Sequence, residues 1–118
     1  MEISEESEVT ATSEITNTLA HNLSHVQQLD RIVHEPARLV ILAALSRVAE
    51  ADFKFLSTVT GLTKGNLSRQ NSILEEAGYI EIHKYYKGRI PATSYRMTEK
   101  GRTAFANYWT QMATLQPE

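Results

Sequence analysis

Residues 53–78, FKFLSTVTGLTKGNLSRQNSILEEAG, leave this chain few folds to choose from. Phe53, Leu56 and Val59 recur at three-residue spacing and give a short helix one apolar face. Asp52 stands just ahead of them as an N-cap. Thr60, Gly61 and Leu62 then break the period, and Gly61 is free to take the positive φ of a tight turn. Thr63 is the next N-cap candidate, because its hydroxyl can accept an orphan N–H from the first turn of a second helix. That helix runs to about Ala77, where Gly78 supplies a stop. The spacing predicts a helix-turn-helix.

Leu67 and Leu74 of the second helix point toward a core on a 3.6-residue period. Thr63 at its start and Lys64, Gly65, Asn66, Ser68, Arg69 and Ser72 on its other faces form a polar surface. A helix that reads DNA needs small residues for close approach, Arg and Asn for base edges, and Lys or Ser for phosphates. A surface helix with a mixed polar face fits the same residues, so the following segment decides between them.

That segment reads as a β-hairpin. Residues 79–86 are rich in aromatic and β-branched side chains, with Ile80 and Ile82 alternating with polar neighbours. Residues 87–91, KGRIP, are turn-like, and Thr93, Tyr95 and Met97 alternate on the return. From Lys84 to Arg102 there are six basic residues (Lys84, Lys87, Arg89, Arg96, Lys100, Arg102) against the single acid Glu99. A basic hairpin directly after a helix-turn-helix is a wing. Lys84, Lys87 and Arg89 are its candidate DNA contacts.

With these residues in view, GLTKGNLSRQNSILEEAGYIEI followed by KGRIPATSYRMTEKGR closely resembles the winged-helix transcriptional regulators related to the MarR and ArsR families. More narrowly, it is similar to small stand-alone winged-helix regulators with an LTxGNLSxHLxxLEEAGYI recognition helix and a TEKGR entry to the last helix. The resemblance covers about residues 29–112. It departs at Gln70 and Asn71, where the pattern usually has His or a similar residue followed by Leu. Asn71 then puts an amide where the family packs an apolar side chain, unless Ile73 takes that role.

A chain of 118 residues is one domain with a modest core. It has no cysteine, which excludes a disulfide framework, a thiol nucleophile and a cysteine metal site. No apolar run approaches a transmembrane helix, and the acidic start is unlike a signal peptide, so no membrane association and a cytoplasmic location are expected. The net charge of −2 is unevenly spread. Residues 1–30 hold six acids and no Lys or Arg, which leaves twelve basic and eight acidic residues beyond them, a net +4. Local field rather than total charge governs attraction to phosphate.

Residues 1–13, MEISEESEVTATS, read as a disordered acidic tail; a DNA-mimicking tail that weakens nonspecific binding is the more functional reading. Residues 14–118 form the winged helix-turn-helix domain with its terminal helices. Ile15, Leu19, Leu23, Val26, Leu29 and Val33 recur at three or four, the stripe of an amphipathic helix. Pro36 ends that helix and starts another over 37–48, whose Leu39, Val40, Leu42, Ala43 and Leu45 are too apolar for one exposed face. Arg38 and Arg47 fall outside its stripe, to be solvated or near a DNA backbone; residues 49–52 are a linker. Thr98 caps a last helix with a wide apolar face of Ala104, Phe105, Tyr108, Trp109, Met112 and Leu115. Two terminal helices with spare apolar faces predict a homodimer through Ile15, Leu19, Leu23, Val26, Phe105, Tyr108, Trp109 and Met112. Packing of the last helix on the domain's own first helix is the simpler alternative.

No nucleophile motif surrounds a His/Asp pair, and the GxxxxGK[ST] spacing is absent, so an enzyme is not expected. His21 and His25 are four apart on one helix face, the spacing of a metal pair, and the resemblance includes ArsR relatives that bind metals through His and carboxylates; two ligands without a third define no site, and neither metal nor cofactor is assigned. His34 is expected at a helix end and His83 at the wing base. The fold expected is mainly α with a small β-hairpin wing (α+β). The function expected is sequence-specific double-stranded DNA binding by a homodimeric transcriptional regulator, with the second helix in the major groove and the wing on the adjacent minor groove or backbone. A protein-docking winged helix and a metal- or ligand-responsive ArsR-like sensor are the alternatives. A small-molecule effector is compatible with the first, in a pocket near Tyr108 and Trp109 at the dimer interface.

Overall fold

The computed structural model describes residues 5–117, and the side chains of 12–24 and 26–117 within them. Among the described residues five helices and a three-stranded antiparallel sheet make an α+β winged helix, as expected. The described residues divide into two compact units, 30–108 and a second made of 5–29 together with 109–117.

The larger unit is built on α2 (Pro36–Leu45), β1 (Ala51–Asp52), α3 (Phe53–Thr60), α4 (Lys64–Glu76), β2 (Ile80–Lys87), β3 (Ile90–Met97) and the start of α5 (Glu99–Ala113). Its core is Val33, Ile41, Leu42, Leu45, Leu56, Leu67, Leu74 and Ile80, all fully or almost fully buried. Burying one such side chain stabilises by about 1.5–3 kcal/mol. Glu35 caps α2 by accepting from the Arg38 amide at 2.9 Å, and Pro36 fills the first turn, where no N–H is needed. The helix stops at Leu45 rather than at 48. Ser46 turns its hydroxyl onto the Ala43 carbonyl at 2.7 Å, a local bond that competes with another helical turn.

Three further sequence expectations for this unit need correction. Residues 49–52 are not all linker, because Ala51 and Asp52 pair with Tyr95 and Ser94 as β1. Val59 does not share the buried face of α3; it is exposed, and only Leu56 of that helix is buried. The hairpin turn is also tighter than residues 87–91. Lys87 pairs with Ile90 and Tyr86 with Pro91, leaving Gly88 and Arg89 as the loop. Gly88 has φ 62° and Arg89 does not have positive φ, the pattern of a type II′ turn, which suits the right-handed twist of a hairpin. Pro91 is tolerated in β3 because β1 covers only Ser94 and Tyr95, so Pro91 faces no third strand.

The amphipathic stripe expected over residues 15–33 is split. α1 (Glu5–Gln27) ends before it is complete. Beyond it, Asp30 accepts from the Ile32 and Val33 amides at 2.9 and 3.2 Å and folds a capped turn that buries Val33. The second oxygen of Asp30 accepts from the Tyr79 hydroxyl. Burial first, then that hydrogen bond and the carboxylate's charge, push the Tyr79 phenol up to about 12, so it stays a donor throughout the neutral range. At its other end α1 begins at Glu5, inside the acidic segment read above as a disordered tail; residues 1–4 lie outside the described ones. The segment contains no Gly or Pro, and Glu5 and Glu6 suit the positive end of a helix.

In the smaller unit, Asn22 of α1 donates to the Thr114 carbonyl just past α5 at 3.0 Å. Ile15, Leu19 and Leu23 stay exposed along α1, Leu19 by 53%. Among the described residues no helix is long and apolar enough to cross a membrane.

Candidate nucleic-acid interface

The turn between α3 and α4 is made as the sequence indicates. Asp52 caps α3 through the Phe55 amide at 2.7 Å. Gly61 ends it with φ 69°. The Thr60 hydroxyl donates to the Leu56 carbonyl at 2.6 Å and accepts from the Leu62 amide at 3.3 Å, which sets the bend. Thr63 caps α4 by accepting from the Asn66 amide at 3.2 Å.

With Leu67, Gln70, Asn71 and Leu74 turned inward, Thr63, Lys64, Gly65, Asn66, Ser68, Arg69 and Ser72 are all exposed. Space beside Gly65 is open, so a large surface can approach the backbone there. Ser72 is partly committed, since its hydroxyl donates to the Ser68 carbonyl at 3.0 Å. Lys84, Lys87 and Arg89 are exposed on the wing, Lys87 and Arg89 at its tip. Tyr86 and Ile90 are strongly exposed beside them, an apolar addition to the tip that alternation alone does not single out.

Two of the six basic residues in this region belong to the frame instead. Arg96 pairs across the strands with Glu81 at 2.6 Å. Lys100 donates to the Ala77 carbonyl at 3.0 Å, at the end of α4, and lies over the Tyr79 ring. Arg38 is likewise neither solvated nor placed for a DNA backbone. Its Nε donates to the Ile32 carbonyl at 2.6 Å, its Nη1 to Gln70 Oε1 at 2.7 Å, and Glu35 lies 3.7 Å away.

The departure at Gln70 and Asn71 therefore has two outcomes. Gln70 is a buried hydrogen-bonding link. Asn71 is 1% exposed, and neither its Oδ1 nor its Nδ2 has a hydrogen-bond partner among the described residues. Ile73, half-buried, does not replace it, and the helix register is unchanged.

The TEKGR entry also has a physical basis. Thr98 accepts from the Gly101 amide at 3.0 Å and donates to the Gly78 carbonyl at 2.6 Å. A Cβ on Gly101 would lie 2.1 Å from the Tyr79 carbonyl oxygen, so only glycine allows α5 to start there.

Of the residues expected at a dimer interface, Ile15, Leu19, Leu23 and Trp109 are exposed, Trp109 by 49%, and Val26, Phe105 and Met112 are half-buried. Tyr108 departs from that expectation. It is buried, and its hydroxyl meets His34 Nδ1 at 2.8 Å, so its polar end is not free for an effector. His83 lies within β2 and stacks on Tyr85. His21 is exposed, while the His25 side chain lies outside the described ones. No group of three or more His, Cys, Asp or Glu forms a metal-binding cluster among the described residues.

A helix-turn-helix followed by a basic hairpin defines the winged-helix class of DNA-binding domain. Residues 37–115 match the family of winged helix DNA-binding domains, and the chain belongs to that family. It is 39% identical over 79 residues to the uncharacterized protein MJ0432 of Methanocaldococcus jannaschii, a match spanning 66% of this chain and 85% of that one. The transcriptional regulator homologue of Pyrococcus horikoshii OT3 has the same fold, with TM-score 0.73 and 24% identity over 78% of this chain and 93% of that chain. A MarR-family regulator from Silicibacter pomeroyi shares it at TM-score 0.59 and 19% identity, over 89% and 71% of the two chains. The winged-helix fold that the resemblance implies is therefore shown.

Proposed function

We propose that this protein is a sequence-specific double-stranded DNA-binding transcriptional regulator that acts as a homodimer. In this reading α4 enters the major groove and the wing lies on the adjacent minor groove or backbone. The observation that carries it is the division of α4. One face is locked into the core, and the other exposes Lys64, Asn66, Ser68 and Arg69 beside a glycine that leaves room for close approach. A protein-docking module needs no exposed basic residues on helix and wing together.

Binding to duplex DNA is expected to weaken with salt. Replacing Lys87 and Arg89 with alanine lowers the slope of log K against log salt by about 0.9 for each phosphate no longer neutralised. It costs all sequences about equally, because backbone contacts carry little base information. Arg69→Ala instead costs about 1–3 kcal/mol on a selected site and less on a scrambled one. Titrations of both duplexes at several salt concentrations check this. Absence of duplex binding at low salt favours the docking module, and equal losses on both duplexes for Asn66→Ala and for Arg69→Ala remove α4 from the bases.

The homodimer rests on the exposed apolar residues of α1 and on Trp109. Leu23→Glu together with Trp109→Glu is expected to give monomer, since each sets a charge in an apolar contact. Sedimentation of the unsubstituted protein as a monomer at micromolar concentration would refute the dimer.

A further inference from the structure

A chain of side-chain amides runs from the core to the exposed face of α4. The Arg38 Nη1 donates to Gln70 Oε1 at 2.7 Å, and Gln70 Nε2 donates to Asn66 Oδ1 at 3.0 Å. The two ends of an amide are alike in shape, but here chemistry fixes which is which. A guanidinium has only donors. The atom of Gln70 that meets Arg38 must therefore be its oxygen. Its nitrogen must face Asn66, and the atom of Asn66 that meets a donor must be Oδ1. The relay is rigid at its root, because the Arg38 Nε is tied to the Ile32 carbonyl at 2.6 Å and Gln70 is 9% exposed. Asn66 itself is exposed one helical turn earlier.

We infer that Asn66 is a specificity-determining residue of fixed polarity: Arg38 and Gln70 hold its oxygen inward, so it offers the Nδ2 hydrogens to a base edge that accepts. This rests on the DNA-reading role proposed for α4. In the major groove the acceptors are guanine N7 and O6, adenine N7 and thymine O4, whereas adenine N6 and cytosine N4 donate. The usual two-bond pairing of asparagine with adenine needs the amide oxygen as well as the nitrogen. Gln70 takes one lone pair of that oxygen and holds it inward. Adenine N7 is flanked by the N6 donor, which opposes a second donor, so the relay favours guanine or thymine under Asn66. Arg38 and Gln70 are positioning residues, since they act on DNA only through Asn66.

Gln70→Glu tests the polarity directly. The carboxylate has the shape of the amide but only accepts. It keeps the bond from Arg38, and its second oxygen can bond to Asn66 only through Nδ2. Asn66 must then turn over and present Oδ1 to the same base. The experiment is selection from random duplexes with the unsubstituted protein, Asn66→Ala, Arg69→Ala, Gln70→Glu and Gln70→Leu, with thermal melts to verify folding. Asn66→Ala is expected to relax one position of the selected site that prefers guanine or thymine. At that position Gln70→Glu shifts the preference to adenine or cytosine, by roughly two- to tenfold, the worth of one neutral hydrogen bond. Gln70→Leu frees the amide and broadens the preference to both kinds of base. A merely structural role would weaken all sites together and move no preference.

The inference is overturned if Gln70→Glu keeps the original base. If that variant does not fold, an unchanged preference in Gln70→Leu overturns it equally. It is also overturned if Asn66→Ala relaxes nothing while Arg69→Ala does. If the unsubstituted protein selects no sequence at all, the DNA-reading function itself fails, a result distinct from the others.

Discussion

Gly101→Ala is expected to cost at least the upper part of the roughly 1–3 kcal/mol typical of overpacking. Alanine is normally the better helix residue, by about 1 kcal/mol, so propensity alone predicts stabilisation at this position of α5. Geometry decides otherwise. The added Cβ meets the Tyr79 carbonyl oxygen at 2.1 Å and two further Tyr79 backbone atoms at 2.9 and 3.0 Å. That backbone cannot rotate away as a side chain would. It accepts from the Thr98 amide at 3.0 Å and donates to the Leu74 carbonyl at 2.9 Å, and the Tyr79 side chain is held by Asp30. For a domain of this size the melting temperature should fall by roughly 10 °C or more. An unchanged or raised melting temperature would show that α5 can begin without the close contact.

Arg38→Ala is the second large effect. The substitution leaves the Ile32 carbonyl and Gln70 Oε1 without their donor in a part-buried region. An unsatisfied buried acceptor costs about 1–3 kcal/mol, so a total loss of about 2–4 kcal/mol is expected in urea unfolding. Arg38→Lys should recover little, because one ammonium cannot reproduce a planar fork that bonds in two directions. A loss below about 0.5 kcal/mol, the size typical of a surface substitution, would mean that Arg38 behaves as a surface charge.

These two residues mark the limit of what is legible in the sequence. The helix-turn-helix can be read because its signals are local. Asp52, Thr63 and Gly61 act on backbone within three or four residues of themselves, and apolar spacing reports the inward face of α4. Exposure of Lys64, Asn66 and Arg69 follows from the same period. Arg38 looks like a surface charge because its partner Gln70 lies 32 positions away, and no local pattern announces that pairing. The same holds for Arg96 with Glu81 and for Lys100 with Ala77, which look like free wing charges until the strands and α5 are in place. β1 is two residues long, too short for alternation to register. Asn71 stands out as a departure, but an unpaired amide cannot be told from a paired one before its surroundings are known.

The shortness of β1 has a mechanical consequence. Its pairing reaches only Tyr95 and Ser94, so the inner part of the hairpin is clamped into a sheet while the outer part is a two-stranded ribbon. Such ribbons twist more readily than wider sheets. Lys87, Arg89, Tyr86 and Ile90 all ride on the free length, whereas α4 is keyed to the core through Leu67 and Leu74. The wing is a cantilever: its tip can twist while the load stays out of α4. In the DNA-binding reading proposed above, grip and sequence reading are thereby carried by mechanically separate parts of one small domain.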